Sequence, residues 1–283
     1  MEYGIYIRMN SNKKFKDLEK KLTKLSSFAV AFSGGVDSSF LLAAAKKINS
    51  QNLVAITVSS QFVPEREIEF AKRIVRLLGV EHICLDVDIL ENTDVVRNTL
   101  ERCYHCKKQM FSLIKETAVK LGVNSLVHAV NLDDLKDFRP GLKAAKELGF
   151  YSPLVDANYT KSDIRLQSRQ WGLETWNKPS QSCLATRIPY HEKITAKNIS
   201  MVDKAEFFLQ DLGFAQVRVR CHGKTARIEF EPGRVDRILN SDIRQKISTE
   251  FQEIGFAHTS IDIDGHKTGK MNHETPDNKN PQP

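Results

Sequence analysis

The chain has 283 residues, 41% of them hydrophobic, which is enough for one large or two modest domains with a substantial core. No run of eighteen or more apolar residues occurs and the N-terminus lacks a long apolar segment. A transmembrane helix and a signal peptide are therefore not expected, and a cytoplasmic location is predicted. The formal net charge of +7 favours anionic partners such as nucleotides, phosphorylated small molecules or RNA, although a solvated basic surface explains it equally well.

Four apolar segments in the first half of the chain, each followed by a helical pattern, predict an α/β fold. Such alternation favours a parallel sheet with helices on both faces, which binds ligands at the carboxyl ends of its strands. The predicted strands are Phe28–Phe32, Leu53–Val58, His82–Val87 and Ser125–Val130. The predicted helices are Ser39–Lys47, Glu65–Leu78, Thr93–Leu121 and a segment from Pro140 to Gly149.

A second region begins after Tyr190 and is predicted to form a smaller α+β domain. Two neighbouring segments there alternate like paired strands. The expected elements are a helix at Ala196–Leu212, strands at Gln216–Cys221 and Ala226–Phe230, a helix at Ser241–Ile254 and a strand at Thr259–Ile263. The predicted domains are therefore 1–190 and 191–271, followed by a polar tail at 272–283 that is expected to be disordered.

The segment Ser33-Gly34-Gly35-Val36-Asp37-Ser38 lies between the first predicted strand and its helix. Glycine adopts positive φ angles and lets other groups approach the backbone, and the helix N-terminus offers free N–H groups with partial positive charge. Hydroxyl side chains add donors, so the loop suits a pyrophosphate. The lysine of a Walker A motif is missing, and the alternative is a tight turn with an N-cap at Asp37 or Ser38.

Five cysteines in a reducing compartment favour metal or catalytic thiols over a disulfide framework. Cys103 and Cys106 lie three residues apart in a predicted helix and share a face, but two thiolates cannot complete a zinc or iron–sulfur site. Cys183, in a loop of small residues, is the candidate third ligand. A zinc site with an added histidine, a redox pair and plain structural thiols are the alternatives. Cys84 and Cys221 are expected to be buried or half-buried strand residues.

In the second region, Arg218 and Arg220 alternate along a predicted strand and therefore point to one face. A planar guanidinium suits bidentate phosphate binding, and Glu206 in the preceding helix and Glu229 in the next strand are further candidates for the same site. A charge ladder across the two strands is the structural alternative.

The glycine-containing loop resembles the SGGxDS signature of the PP-loop ATP pyrophosphatases, which have a Rossmann-like parallel sheet and adenylylate a substrate oxygen with release of pyrophosphate. This resemblance implies that Ser33, Gly34, Gly35, Asp37 and Ser38 bind the phosphates of ATP, and that Asp37 helps to hold Mg²⁺. Longer segments are similar to the LarE family of ATP-dependent sulfur transferases, over nearly all of the chain up to Asn272. They are RPGLKAAKELG at 139–149, WNKPSQSCLATRIPY at 176–190, GFAQVRVRCHGKTARIEFEPGRVDRIL at 213–239 and GHKTGKMN at 265–272.

The resemblance to LarE implies an enzyme that adenylylates a carboxylate of a pyridinium dicarboxylate mononucleotide. The product would be a thiocarboxylate for nickel-pincer cofactor biosynthesis. Catalytic roles fall to Asp37 and to Cys103, Cys106 and Cys183, which would carry a [4Fe-4S] cluster with a transferable sulfide; some members instead sacrifice the cysteine that matches Cys183. The acceptor-binding residues would be Arg218, Arg220, Glu206 and Glu229, with Arg187 as a further positioning candidate. A homo-oligomer such as a hexamer, a sulfide donor, and no nucleic-acid or membrane partner are also implied.

Three other functions remain open at this level. A tRNA thiolase with a PP-loop is compatible with the positive charge and the three cysteines, but the chain has no aromatic and basic RNA-binding module. An ammonia-using ATP-dependent synthetase would not need the cysteines. A nucleotide-binding regulator would fail to cleave ATP with any plausible acceptor.

Overall fold

The computed structural model describes residues 2–48, 52–136, 139–231, 237–238 and 240–266, with side chains from residue 13 onward. The chain forms two compact units, the first within 1–87 and 103–181 and the second within 88–102 and 182–283. The last division between the two units falls between residues 181 and 182, before the predicted boundary at residue 190. The assignment of separate functions to domains 1–190 and 191–271 stays a prediction. The predicted tail at 272–283 lies outside the described residues. None of the helices within the described ranges combines the length and apolar character needed to cross a bilayer.

The first unit contains a five-stranded parallel sheet, which confirms the predicted α/β fold. Its strand order is β3-β2-β1-β4-β5. The chain adds β2 and β3 on one side of β1, and then adds β4 and β5 on the other side, so the strand order reverses between β1 and β4. The strands are β1 (Phe28–Ala31), β2 (Leu53–Ser59), β3 (Glu81–Asp86), β4 (Ser125–His128) and β5 (Phe150–Tyr151). In open α/β sheets, ligands bind at such a switch point, beyond the carboxyl ends of the strands.

The helices are, in chain order, α1 (Glu2–Thr23), α2 (Val36–Lys47), α3 (Glu65–Leu78), α4 (Thr93–Val96), α5 (Arg102–Lys120), α6 (Gly141–Glu147), α7 (Pro153–Asp156), α8 (Lys161–Gln170), α9 (Ala196–Asp211) and α10 (Ser241–Ile254). Both faces of the sheet of the first unit are covered, as predicted. Phe28 and Val30 of β1 pack in one apolar cluster with α2, whereas Ala29 packs in the other with Phe111 and Ile114 of α5. Burial on both faces explains why β1 and β2 are nearly continuous apolar runs.

The predicted single helix over Thr93–Leu121 is wrong between residues 97 and 101, where α4 has ended and α5 has not begun. Asn98 adopts a φ of 55° and is fully buried. Its Nδ2 donates to three backbone carbonyls more than 85 residues later in the chain, those of Ile188, Pro189 and Glu192. Because these partners are remote in sequence, local helical propensity does not reveal the break.

The second unit carries a three-stranded sheet of order β6-β7-β8, which agrees with the predicted small α+β module. β6 (Val217–His222) and β7 (Thr225–Phe230) pair in antiparallel fashion as expected, and β8 (His258–Ile261) lies parallel to β7. The register places Arg218 opposite Glu229 and Arg220 opposite Arg227. Alternation along these strands therefore brings the charged side chains to one face.

Candidate functional site

The predicted phosphate loop follows β1 and leads into α2. Gly34 has a φ of 69°, and a Cβ atom there would lie 3.0 Å from the Cβ of Ala71, so both conformation and packing require glycine. Gly35 is the N-cap of α2 with an extended backbone. Ser38 donates from Oγ to the Gly35 carbonyl at 3.2 Å, and its Oγ lies 3.1 Å from that of Ser33. The loop thereby aims the N-terminus of α2, with its unsatisfied N–H groups, at an incoming anion.

Asp37 is held at the start of α2 by Lys161, whose Nζ lies 2.6 Å from Oδ2. The other oxygen, Oδ1, is buried and has no hydrogen-bond partner within the described ranges. A buried carboxylate oxygen of this kind, beside a phosphate loop, fits Mg²⁺, which takes carboxylate and phosphate oxygens as ligands. Lys161 was missed by sequence reasoning, although it follows Thr160, whose capping box with Asp163 marks the start of α8.

A cavity of about 460 Å³ lies at the carboxyl ends of β1, β2 and β4. The phosphate loop and the apolar ends of the strands line it together, which suits a ligand with a charged and an apolar part. Its polar lining from the loop is Ser33, Gly35, Asp37 and Ser38. Its apolar lining includes Ile56, Val58, Val63, Ile68, Met110 and Phe111.

His128, the last residue of β4, also lines this cavity and is a candidate that sequence reasoning missed. It is 6% exposed, and burial, aided by the positive charge of Lys107, lowers its pKa to about 4. Its Nε2 lies 2.6 Å from Oγ of Ser152. The ring is therefore neutral at physiological pH. The predicted strand ran on to Val130, so the sequence did not show that His128 ends β4 beside the switch point.

The three cysteines predicted to take part in sulfur transfer do not all lie in the same unit. Cys103 and Cys106 lie in the first turns of α5, and Cys183 precedes a 3₁₀ turn in the second unit. Cys103 lines the cavity, whereas Sγ of Cys106 lies 3.9 Å from Sδ of Met110. Across the residues that the structure describes, no group of three or more His, Cys, Asp or Glu side chains is placed to hold a metal ion. The joint cluster ligation by the three cysteines stays a prediction.

The two remaining cysteines differ from each other. Cys221 is 3% exposed, as expected, and burial raises its pKa to about 11. Cys84 is exposed, so the expectation of burial is wrong for it. The reason is topological, because β3 is an edge strand of the five-stranded sheet and a sequence pattern does not show which strand lies at the edge.

The segment that carries Cys183 is held by two buried arginines. Arg187 donates from Nη1 to the carbonyls of Ser182 and Cys183 at 3.0 and 3.2 Å. Arg102, another residue missed from the sequence, donates to the carbonyl of Ala185 at 3.1 Å and is 2% exposed. Together these bonds fix the backbone on both sides of the cysteine, which is what a reacting thiol requires for a defined position.

The predicted acceptor residues form a buried charge cluster in the second unit. Arg187 binds Glu206 through Nε and Nη2 at 2.7 and 2.9 Å, and Arg220 binds Glu229 through Nε and Nη2 at 3.0 and 2.8 Å. Arg218 lies close to both pairs, and burial together with the nearby Arg187 lowers its pKa to about 10, so it remains a cation at neutral pH. Arg227 also contacts Glu229 at 3.3 Å and Asp262 at 3.4 Å, so the cluster holds four arginines and three carboxylates. Buried guanidinium groups of this kind are suited to bidentate binding of phosphate or carboxylate.

Comparisons with known proteins agree with this architecture. Residues 7–138 match the family model of the PP-loop domain. An uncharacterised protein of Synechocystis sp. is 38% identical over 263 residues, which cover 90% of this chain and 98% of that protein. The pyridinium-3,5-bisthiocarboxylic acid mononucleotide synthase of Lactiplantibacillus plantarum is 32% identical over 252 residues, 89% of this chain and 91% of that enzyme. The tRNA-specific 2-thiouridylase of Rickettsia rickettsii is 27% identical over 195 residues, only 55% of this chain and 53% of that enzyme.

Proposed function

The chain belongs to the LarE family of ATP-using sulfur transferases with a PP-loop domain, and from this premise we propose that it makes a thiocarboxylate from a pyridinium dicarboxylate mononucleotide. The reaction would contribute to nickel-pincer cofactor biosynthesis in the cytoplasm, with the enzyme as a homo-oligomer such as a hexamer. The match to the synthase carries this proposal, because it spans both units and therefore includes the predicted acceptor residues.

In the first step, a carboxylate oxygen of the acceptor attacks the α-phosphorus of ATP, the bond to the bridging oxygen breaks, and pyrophosphate leaves. The phosphate loop and the N-terminus of α2 bind the leaving pyrophosphate, and Lys161 holds Asp37 in place. Mg²⁺, held through Oδ1 of Asp37, would neutralise charge on the phosphates. The loop residues lower the barrier because their donors are already oriented before the charge develops.

The acceptor is assigned to the charge cluster of the second unit. Arg218 is assigned to an incoming phosphate or carboxylate, because it is buried beside the two arginine–glutamate pairs and remains a cation at neutral pH. Glu206 and Glu229 thus position the arginines, and Arg187 also fixes the backbone at Cys183. Acidic residues occur in the proposed anion site because they hold the arginines in position and do not themselves contact the acceptor.

A [4Fe-4S] cluster on Cys103, Cys106 and Cys183 belongs to the proposal as the sulfur carrier. Such a cluster has one iron without a protein ligand, which would present a sulfide for transfer. The placement of Cys103 on the wall of the nucleotide cavity supports a sulfur role for this cysteine. Sulfide addition to the acyl adenylate would release AMP and leave the thiocarboxylate.

The test uses the full chain, purified without oxygen, with ATP, Mg²⁺, sulfide and pyridinium-3,5-dicarboxylic acid mononucleotide. Acceptor-dependent release of pyrophosphate and AMP and a thiocarboxylate product by mass spectrometry are expected. Asp37→Ala should lower pyrophosphate release about 100-fold, the scale found when one preorganised electrostatic contact is removed. Pyrophosphate release that requires tRNA, or ammonia, instead of the mononucleotide would contradict the proposal.

The cysteine chemistry needs its own measurement. Iron and sulfide content, the visible absorption spectrum and the mass of the protein after several turnovers are compared among variants. Cys103→Ser, Cys106→Ser and Cys183→Ser should each lose the cluster and sulfur transfer, whereas Cys84→Ser and Cys221→Ser serve as controls and should lose neither. Accumulation of dehydroalanine at position 183 in step with product, with iron present, would show a sacrificial cysteine instead.

A second candidate, a tRNA thiolase, is favoured only by the match to the 2-thiouridylase. That match is 27% identical and covers only about half of each chain, so it supports the second candidate less than the match to the synthase supports the first. The same assay with tRNA as the acceptor decides between the two.

A further inference from the structure

The nucleotide cavity carries a positive charge that the phosphate loop does not account for. Four charged side chains line it: Asp37, Lys107, Asp134 and Arg139. Both carboxylates are already paired, Asp37 with Lys161 at 2.6 Å and Asp134 with Arg139 at 2.8 Å. Lys107 has no carboxylate partner in the described part of the chain. Among the described residues, its ammonium group is thus the charge of the cavity that no carboxylate neutralises, and it can contact an anionic ligand.

Packing holds the side chain of Lys107 in this position. A Cβ atom built on Gly141 would lie 2.8 Å from Cγ of Lys107, so the aliphatic stem passes directly over this glycine. The Nζ atom lies 5.4 Å from the centre of the Phe111 ring, one turn further along α5. Gly141 at the first position of α6 therefore leaves space for the aliphatic part of Lys107, and the ammonium group packs near the Phe111 ring.

The charge of Lys107 also reaches the switch point of the sheet. His128 is the last residue of β4 and lies opposite Ala31, two residues before the phosphate loop begins. Lys107 and His128 line the same cavity. After burial, the positive charge of Lys107 is the second cause of the lowered pKa of His128. The lysine therefore lies on the cavity beyond the carboxyl ends of β1 and β4, together with the loop.

We propose that Lys107 contacts the α-phosphate of the bound nucleotide, and that Gly141 is the residue that positions it. The phosphate loop and the N-terminus of α2 are fitted to the pyrophosphate part of ATP, which departs after the first step. The α-phosphate stays behind in the adenylate and in AMP and needs a separate cation, which Lys107 supplies. This inference rests on the proposed function in one respect, namely that the cavity binds ATP for adenylyl transfer.

Binding measurements by titration calorimetry test the assignment without any acceptor. Lys107→Met should weaken binding of AMP by about tenfold or more, the scale of a hydrogen bond to a charged group, and leave binding of adenosine unchanged. Lys107→Arg should retain part of the AMP affinity. The matched control is Lys108→Met, because Lys108 is the next residue but contacts Tyr104 and Glu147 instead of the cavity.

Gly141→Ala provides a second variant that leaves every charge in place. Its backbone does not require glycine, but the added Cβ must displace the stem of Lys107 or the start of α6. AMP binding should weaken in the same direction as in Lys107→Met, and the double variant should be no weaker than the lysine variant alone. This non-additivity is expected because both changes remove one contact.

Three results would overturn the assignment. The first is unchanged AMP affinity in Lys107→Met, and the second is an equal loss for adenosine, which would indicate a structural role. The third is normal AMP binding with a loss confined to acceptor-dependent pyrophosphate release, which would place Lys107 at the acceptor carboxylate. A failure of the proposed function is seen separately, as the absence of a thiocarboxylate from the wild-type chain, and leaves the AMP comparison intact.

Discussion

The two units bury ionisable side chains in opposite ways. In the first unit, His128 is 6% exposed and is kept neutral by burial and by the nearby Lys107. In the second unit, Arg187 and Glu206 are each about 1% exposed and form a bidentate ion pair. A buried base that stays neutral loses little solvation, whereas a buried charge needs a partner that replaces its water.

This contrast in burial separates the two candidate sites. The first unit places the charged side chains of Asp37 and Lys107 at the wall of an open cavity. The second unit buries its arginines, and Arg187 and Arg220 are each bound by a glutamate through two hydrogen bonds. The geometry of the second site is therefore expected to depend on these ion pairs.

The largest expected effect breaks the buried pair of the second unit. Glu206→Gln leaves the charge of Arg187 without its counter-charge and should lower the free energy of unfolding by about 3–5 kcal/mol. The double variant Arg187→Met with Glu206→Leu should recover part of this loss because no buried charge remains. Urea unfolding followed by circular dichroism measures both values.

An exposed pair gives the control for that experiment. Arg73 and Glu174 lie 2.8 Å apart with side chains 52% and 40% exposed, so Glu174→Gln should cost less than about 1 kcal/mol. A loss for Glu206→Gln that is as small as the loss for Glu174→Gln would mean that the second unit does not depend on its buried pair.

The next effect concerns the neutral histidine of the first unit. The pKa of His128 is about 4 in the folded protein against 6.5 for the unperturbed side chain, so the unfolded chain binds more protons between these values. Stability should therefore fall as the pH drops from about 6.5 to 4, by about 3 kcal/mol from this group, and the loss should saturate below that range.

His128→Gln is the variant that isolates this contribution, because glutamine cannot become charged in this range. Urea unfolding at a series of pH values should give a smaller fall for the variant than for the wild type between pH 6.5 and 4. Parallel pH profiles for the two proteins would mean that the imidazole is not held neutral in the folded protein. The two units would then not differ in the charge state of their buried ionisable side chains.

Local patterns predicted those elements of the fold that depend on neighbours in sequence. The alternation of apolar segments and helical periods indicated β1 to β4 with their helices, most clearly for β1 and β2, which are buried on both faces and apolar nearly throughout. The break at residues 97–101 was not predictable, since Asn98 is held by carbonyls of residues 188, 189 and 192. The exposure of Cys84 was equally hidden, because it depends on strand order.

The candidate site divides in the same way. The phosphate loop was visible because its glycines and hydroxyls are contiguous and stand between a strand and a helix. Lys161 and Lys107 were not, because Lys161 contacts Asp37 from α8, Lys107 lines the cavity from α5, and lysines are common on surfaces. The pairing of Arg187 with Glu206 needed the structure as well, since the predicted acceptor role treated both as ligands of a substrate and not as partners of each other.

The smallest expected effect tests whether the stability of the first unit depends on backbone conformation, as that of the second unit is expected to depend on ion pairs. The two glycines of the phosphate loop provide a matched pair, because they are adjacent but differ in conformation. Gly34→Ala should lower the free energy of unfolding by about 1–2 kcal/mol, since a left-handed backbone is costly for a residue with a Cβ. It should also weaken ATP binding, because the added Cβ at 3.0 Å from that of Ala71 must push the loop away from α3.

Gly35→Ala is the control. Gly35 has a φ of −78°, and the one atom near a Cβ built there is Oγ of Ser33 at 3.4 Å, so the stability should change by less than about 0.5 kcal/mol. Urea unfolding and ATP titration on both variants decide the matter. If the two variants behave alike in both measurements, the loop does not rely on the conformation of Gly34.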